Sequence, residues 1–403
     1  MKKLYNEIQQ IIKIAFFKYD YKLPSDIDWK ALSIELKQHS MFYLPADQVF
    51  DFGLTEKEKK EYVEALMKQV ATWNVVMYEQ QAIVDRFHEL HIPMVILKGC
   101  TSAMYYPMPE YRTMGDIDLI VNPRDFKCAR IALEDMGYSR RTFNEDREIL
   151  LENHGIKVEL HTRFSVMNDR KHAQYLDALI YQCISHPEQG SIYNYSFPML
   201  PKLERGLVLL THISQHMEIG LGMRQILDWM VYVNAEIDDN YWSCVFEKEA
   251  ENIGLKKLAI VTTRMCQMYL GLSDTITWCQ NADLVLCEEL MTYIMDNGNF
   301  GAKDITSRKT ISVLRIMRNP WGFMISLQKN GCKKWKWLIK YPWLKPFAWL
   351  YQLIRLIRSG LYRKHILRNM IKDMKKARRE DVLLDNLEVV RRYRGLNKKK
   401  GRH

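Results

Sequence analysis

Residues 93–121 read Pro-Met-Val-Ile-Leu-Lys-Gly-Cys-Thr-Ser-Ala-Met-Tyr-Tyr-Pro-Met-Pro-Glu-Tyr-Arg-Thr-Met-Gly-Asp-Ile-Asp-Leu-Ile-Val. The apolar run Met94 to Leu97 is short, opened by a proline and followed by a glycine, which suits a buried strand better than a helix. Lys98-Gly99-Cys100-Thr101-Ser102 is a turn of small residues, and Asp116-Ile117-Asp118-Leu119-Ile120-Val121 is a second apolar run with two acids at its start. On a strand, side chains two apart share a face, so Asp116 and Asp118 project together while Ile117 and Leu119 go to the other side. Two adjacent carboxylates repel and are costly to desolvate. Hard divalent cations relieve that cost, and Mg²⁺ is commonly held by a few carboxylates together with substrate phosphates. A glycine turn that opens a helix presents backbone N–H groups able to cradle such phosphates. The stretch therefore reads as a strand–turn–strand unit for a nucleoside triphosphate and its metals.

Working outward, 403 residues predict two or three domains. With 47% hydrophobic residues the chain can bury sizeable cores, which excludes global disorder. Eight cysteines lie scattered without a Cys-x-x-Cys pair, which argues against a zinc site and for reduced thiols in the cytoplasm. No apolar run reaches the ~18–20 residues that span a bilayer. Charge is uneven: residues 301–403 hold 28 Lys+Arg against 6 Asp+Glu, a balance of +22, while the rest of the chain sums to −11. An acidic body and a basic tail point to separate tasks.

Leu4, Ile8, Ile11, Ile12 and Phe16 predict an amphipathic helix over 3–18. Asp28 is a cap for a helix to about His39, and Thr55-Glu56-Lys57-Glu58 starts a long one to about Leu90. After the second strand, Asp125 begins a helix that Gly137 ends; Tyr138 to Phe143 and Ile149 to Leu151 are candidate strands. Ile156 to Thr162 is a further strand, with Ile156, Val158 and Leu160 on one face and Lys157, Glu159 and His161 on the other. From about 170 to 300 the pattern is helical. His212 and His216 stand four apart, a zinc-like spacing without an evident third ligand, and read as packed or capping histidines. Arg224 and Asp228, also four apart, either pair on a helix surface or line a cleft.

The order Leu97-Lys98-Gly99, Tyr106-Pro107, Arg112 and Asp116-Ile117-Asp118-Leu119, followed by His216 and Gly222-Met223-Arg224-Gln225-Ile226-Leu227-Asp228, resembles the bacterial uncharacterised nucleotidyltransferases of the DNA polymerase β-like superfamily. The resemblance implies a third carboxylate from a later strand, for which Glu159 is the candidate. His161 on the same face is a ligand, a base or a phosphate contact, unless both are solvated groups on an edge strand. It implies Mg²⁺ or Mn²⁺ held by Asp116, Asp118 and Glu159, as two ions ~4 Å apart. Lys98, Gly99, Cys100, Thr101, Ser102 and Arg112 would take the triphosphate; the alternative for Arg112 is that it only neutralises the acids. His216, Arg224 and Asp228 are candidate cleft residues. The expected fold is α+β, a small mixed sheet forming a nucleotidyltransferase core flanked by large N- and C-terminal helical regions: 1–91 helical, 92–170 catalytic, 171–300 helical, 301–403 basic and aromatic-rich.

The implied activity moves an NMP from an NTP to an unknown acceptor, such as a cell-envelope or glycan-related molecule. Because the superfamily's turn usually carries serine or glycine where Cys100 stands, and a thiol donates poorly to phosphate, the alternative is a catalytically weak nucleotide-binding or regulatory protein, including an antitoxin-like modifier. Residues 333–368 interleave Lys and Arg with Trp and Tyr. An anionic membrane surface is the favoured partner there, ahead of docking on the acidic body and of nucleic acid. The expected location is cytoplasmic, with a peripheral position on the inner membrane face left open. Arg391 to His403 reads as a disordered basic tail.

Overall fold

In the computed structural model, residues 2–24, 26–141, 148–164, 169–304, 320–339, 341–361 and 364–389 are described. The N-terminal region is helical: α1 (Lys2–Phe17), α2 (Trp29–Gln38) and α3 (Glu56–Glu89). Their starts follow from local chemistry. The Asp28 carboxylate accepts from Ala31 N–H at 3.0 Å. Thr55 and Glu58 form a reciprocal capping box, Thr55 N–H donating to Glu58 Oε2 at 2.9 Å and Glu58 N–H to Thr55 Oγ1 at 3.3 Å.

The middle of the chain builds a seven-stranded mixed sheet from β1 (Met94–Ile96), β2 (Ile117–Val121), β3 (Ser139–Arg140), β4 (Glu148–Asn153), β5 (Ile156–His161), β6 (Glu188–Ile192) and β7 (Tyr195–Met199), in spatial order β3-β4-β5-β2-β1-β7-β6. Helices α4 (Cys100–Ala103), α5 (Phe126–Asp135) and α6 (Arg170–Ile184) connect them. β1 runs antiparallel to β2, and β2 parallel to β5. β4 and β5 form a hairpin whose two turn residues, His154 and Gly155, both have positive φ, the backbone that a two-residue hairpin turn requires. The β6–β7 hairpin interrupts the helical pattern read for 171–300. Its first strand, Glu188-Gln189-Gly190-Ser191-Ile192, sits at the sheet edge and lacks apolar alternation. Gly190 lies under the Phe197 ring of the paired strand, where an added Cβ would come within 2.5 Å of that ring. The expected strand Tyr138–Phe143 shortens to Ser139–Arg140, its end falling outside the described residues.

The remaining body is α-helical: α7 (Lys202–Ile219), α8 (Met223–Glu236), α9 (Asp239–Tyr241), α10 (Glu247–Asn252), α11 (Lys256–Leu270) and α12 (Leu284–Asn297). Two cores flank the sheet. Ile96, Ile117, Leu119, Val121, Val158 and Leu160 join Trp73, Met77, Ile83 and Phe87 of α3 and Leu133 of α5 in one. Val95, Leu97 and Ile120 join the helical body in the other, larger core. Alternation thus sends Ile117 and Leu119 toward α3 and leaves the even-numbered aspartates toward the helical body. Beyond residue 320, α13 (Pro320–Lys334) and α14 (Ala348–Leu361) form a hairpin, and α15 (Lys364–Asn386) follows it. The chain returns to the body through Leu383, Leu384, Leu387 and Val389, which are buried in the larger core. The basic segment Arg391–His403 lies outside the described residues. The fold is α+β with helical regions at both ends, as expected.

Candidate active site

The site is assembled by strand register. Asp118 pairs with Glu159, and Ile120 with His161, across the parallel β2–β5 ladder. Side chains at Asp118, Glu159 and His161 emerge on one face, and one donor atom from each lies within 4.8 Å of the other two. His161 Nε2 is 3.3 Å from Asp118 Oδ1 and 3.6 Å from Glu159 Oε2. β5 lies between β4 and β2, so Glu159 and His161 are on an interior strand and not on a solvated edge. Lys98, just past β1, brings its ammonium to 3.0 Å from Asp118 Oδ1.

Asp116 and Asp118 are pushed in opposite directions by their surroundings. Burial and the neighbouring Asp118 charge push the Asp116 carboxyl up to about 6, against the pull of Lys98. Burial also disfavours ionised Asp118, yet Lys98 and His161 hold its carboxyl well below the usual carboxylate range. Burial disfavours the His161 imidazolium as well, but the carboxylates of Asp118, Glu148 and Glu159 push it up to about 10. His161 is therefore a cation at neutral pH. To ligate a metal it must first give up its proton. Oxygen-rich donors with one imidazole fit a hard divalent cation. Burial first and the Asp118 charge second raise Asp116, and a bound cation would offset both.

The glycine turn follows β1 with Gly99 at φ +86°, a conformation that L side chains resist. Two of its side chains are committed elsewhere. Cys100 is fully buried, accepts from Gln80 Nε2 at 3.2 Å, and burial pushes its thiol up to about 12. Thr101 donates its hydroxyl to Leu97 O at 3.3 Å, while Ser102 Oγ is buried without a hydrogen-bond partner. The thiol is thus part of the α3 contact and not a hydrogen-bond donor to a ligand.

Arg112 stands elsewhere than its proximity in sequence to Asp116 suggested. Its Nε and Nη2 donate to Asp228 Oδ1 and Oδ2 at 2.8 and 2.7 Å, and Tyr106 donates to the same carboxylate at 3.0 Å. This fork ties the loop before β2 to α8. Asp228 is spent on Arg112, so it does not pair with Arg224 on its own helix. Arg224 instead donates to Thr113 O at 2.9 Å, and its Nε is buried with no partner. His216 Nε2 lies 2.9 Å from His212 Nε2, and its ring packs on Phe300 at 4.7 Å. Burial, with Lys98 and Arg224 nearby, pushes His216 down to about 3, so it is neutral and packed, as its sequence context indicated.

Sequence reasoning missed Glu148, whose Oε2 is 3.4 Å from His161 Nδ1, and also Gln80. Counting back from the His154-Gly155 turn would have paired Glu148 with His161. No such local signal exists for Gln80.

No curated protein matches the sequence of this chain. A protein-family comparison does match, across residues 25–271, which takes in α2, α3, the whole sheet and the helices to α11. Since that span exceeds half the chain and contains every residue of the acid cluster, the protein belongs to the family described as uncharacterised nucleotidyltransferase.

Proposed function

We propose that this protein transfers a nucleoside monophosphate from an NTP to an acceptor in a reaction that depends on Mg²⁺ or Mn²⁺. The observation that carries the reading is the convergence of Asp118, Glu159 and His161 within 4.8 Å on one sheet face, in a chain of this family. Asp116, Asp118 and Glu159 would hold the cation, which when bound offsets charge on the phosphoryl oxygens. Lys98 and the backbone of the Gly99–Cys100 turn take the polyphosphate end. An acceptor oxygen attacks the α-phosphorus, the new P–O bond forms, and the bond to the bridging oxygen breaks to release pyrophosphate. Glu159 receives the acceptor's proton; its side chain is 33% exposed, so the proton can pass on to water. His161 stands as a positive partner to the carboxylates, and would join them as a ligand to the cation only in its neutral form.

The test is pyrophosphate release from each labelled NTP with Mg²⁺ or Mn²⁺ and a cell-envelope extract. Release that disappears with chelator and in Asp116→Asn and Asp118→Asn supports the enzyme. Tight binding of Mg·NTP with no turnover favours the alternative, a nucleotide-binding regulator, for which the burial of Cys100 away from the turn's ligand side is the supporting observation.

The acceptor side of the proposal includes a membrane. Residues 320–361 hold eight Lys or Arg and no Asp or Glu. On the α13–α14 hairpin Trp337 is 67% and Trp343 70% exposed, alongside exposed Phe347, Leu350 and Ile354 and the cations Lys334, Lys345, Arg355 and Arg358. The hairpin packs on itself: Trp335 stacks on Tyr351 at 5.0 Å, and Gly331 lets the backbone of Ala348 approach so closely that an added Cβ would meet its carbonyl oxygen at 1.9 Å. Tryptophans with a cationic border suit the headgroup layer of an anionic bilayer. No helix among the described residues is long and apolar enough to cross a membrane, so attachment would be peripheral.

A further inference from the structure

A cavity of about 390 Å³ opens beside the acid cluster, lined by Lys37, Phe42, Tyr43, Thr113, Met114, Gly115 and Arg224 among others. Gly115 precedes Asp116 directly, so the cavity abuts the first aspartate. Its lining contains two cationic side chains and no carboxylate. Lys37 Nζ sits over the Phe42 ring, 4.4 Å from the centroid. Arg224 reaches the cavity from α8 without an ion pair to its helix neighbour, because both oxygens of Asp228 are taken by Arg112. One of its donors, Nε, is buried and unpartnered. That Nε is closed off from the cavity, but the guanidinium makes a single hydrogen bond among the described residues, to Thr113 O, and lines the cavity, so an anion there can pair with its remaining donors.

The cavity is separate from the polyphosphate end of the site. Neither Lys98, Gly99 nor Cys100 lines it. Met114 stands between the two spaces: it lines the cavity on one side, and on the other its Sδ lies 3.6 Å from where a Cβ on Gly99 would be. In an in-line displacement the attacking oxygen approaches opposite the leaving group. With pyrophosphate leaving toward Lys98 and Gly99, the attacking molecule comes from the other side of Asp116. We infer that this cavity is the acceptor subsite and that it selects a small acceptor bearing a phosphate or carboxylate, with Arg224 as the anchoring cation and Lys37 as a second one at the rim. The inference rests on the nucleotidyltransferase reading for the word acceptor, but the anion site itself can be measured without turnover. Tyr43 and Phe42 supply an apolar wall for the body of the ligand, such as a sugar ring.

The experiment uses the full chain with a non-hydrolysable ATP analogue and Mg²⁺, titrated calorimetrically with ribose 5-phosphate, with unphosphorylated ribose, and with a short dicarboxylate. Phosphate against carboxylate distinguishes the two anion sources. Binding of at least one anion, none of ribose, and a loss of about 10- to 100-fold in Arg224→Gln are expected, since a charge-assisted hydrogen bond is removed. Lys37→Gln, at an exposed helix position, should weaken the same anion by about fivefold without altering the melting temperature. Arg224→Lys keeps the charge and should recover part of the affinity; this separates loss of anion binding from loss of folding. If the wild type binds neither anion, or if Arg224→Gln and Lys37→Gln bind as the wild type does, the inference is overturned. If Arg224→Gln loses the Mg·nucleotide as much as it loses the anion, the cavity holds the nucleotide, and the acceptor assignment falls while the reaction class stands. If the wild type binds the anion but no nucleotide under any condition, the reaction class falls and the cavity is an anion site of another kind.

Discussion

Replacing Asp228 by Asn tests whether Arg112 is a structural cation or one that meets substrate. The two side chains are 5% and 2% exposed, and the pair is closed by contacts of 2.8 and 2.7 Å. Asparagine preserves the volume and one acceptor oxygen but removes the counter-charge. The guanidinium cannot deprotonate, so it is left charged in a buried setting. Breaking a buried, hydrogen-bonded pair at one partner costs about 3–5 kcal/mol. For domains of 150–250 residues a loss of 1 kcal/mol lowers the melting temperature by about 2–4 °C. The expected fall is therefore roughly 6–20 °C. Calorimetric melts of the wild type, Asp228→Asn, Arg112→Met and the double variant at neutral pH give the answer. The double variant should lose less than the sum of the singles, because the second substitution removes the orphaned charge. The reasoning is refuted if Asp228→Asn melts within about 2 °C of the wild type while Mg·NTP binding collapses. Arg112 would then serve the triphosphate.

Other outcomes follow from the same structure. His39 is fully buried, its Nδ1 accepts from Met223 N–H at 3.3 Å, and burial, with Lys303 nearby, pushes it down to about 3. The unfolded chain binds a proton there that the folded chain refuses, so stability falls as pH drops below about 6.5, by about 1.4 kcal/mol per unit until about pH 3. His39→Gln should flatten that slope in urea titrations; an unchanged slope rejects the assignment. In vesicle flotation the full chain should rise with phosphatidylserine-containing vesicles and not with phosphatidylcholine alone. Trp337→Ala with Trp343→Ala should abolish this, and each exposed hairpin Lys or Arg changed to Gln should cost about 1 kcal/mol, near fivefold. Equal flotation on both vesicles would remove the membrane proposal. Gly220 has φ +121°, and a Cβ there would lie 2.1 Å from Gly301 N, so Gly220→Ala should cost about 1–3 kcal/mol in melts. An unaltered melting temperature would show that the loop at Gly301 yields freely.

Much of this architecture was legible in local patterns. The apolar runs that became β1, β2 and β5, the cap at Asp28 and the box at Thr55 and Glu58 each act over a few residues, and periodicity reads such features directly. The spacing of Asp116 and Asp118 likewise predicted a shared face, and the same alternation on β5 predicted that of Glu159 and His161. What stayed hidden depends on distance along the chain. Arg112 meets Asp228 across 116 positions, and Cys100 turns to Gln80 on a helix that neither residue announces. The first strand of the β6–β7 hairpin, with Gly190 under a ring, has no alternating apolar signal for sequence to display.

The parallel pairing of β2 with β5 has a consequence for when the chemistry can exist at all. The two strands are joined only after α5 and the β3–β4 segment have been made, so the ligand set is a product of late, long-range closure. A nascent or truncated polypeptide that stops before Ile156 keeps both aspartates and the glycine bend, yet has nothing to hold a cation firmly. On the metal-dependent reading proposed above, metal affinity reports completed topology: the ion should bind only once the crossover is in place, and should in turn lock that crossover against opening.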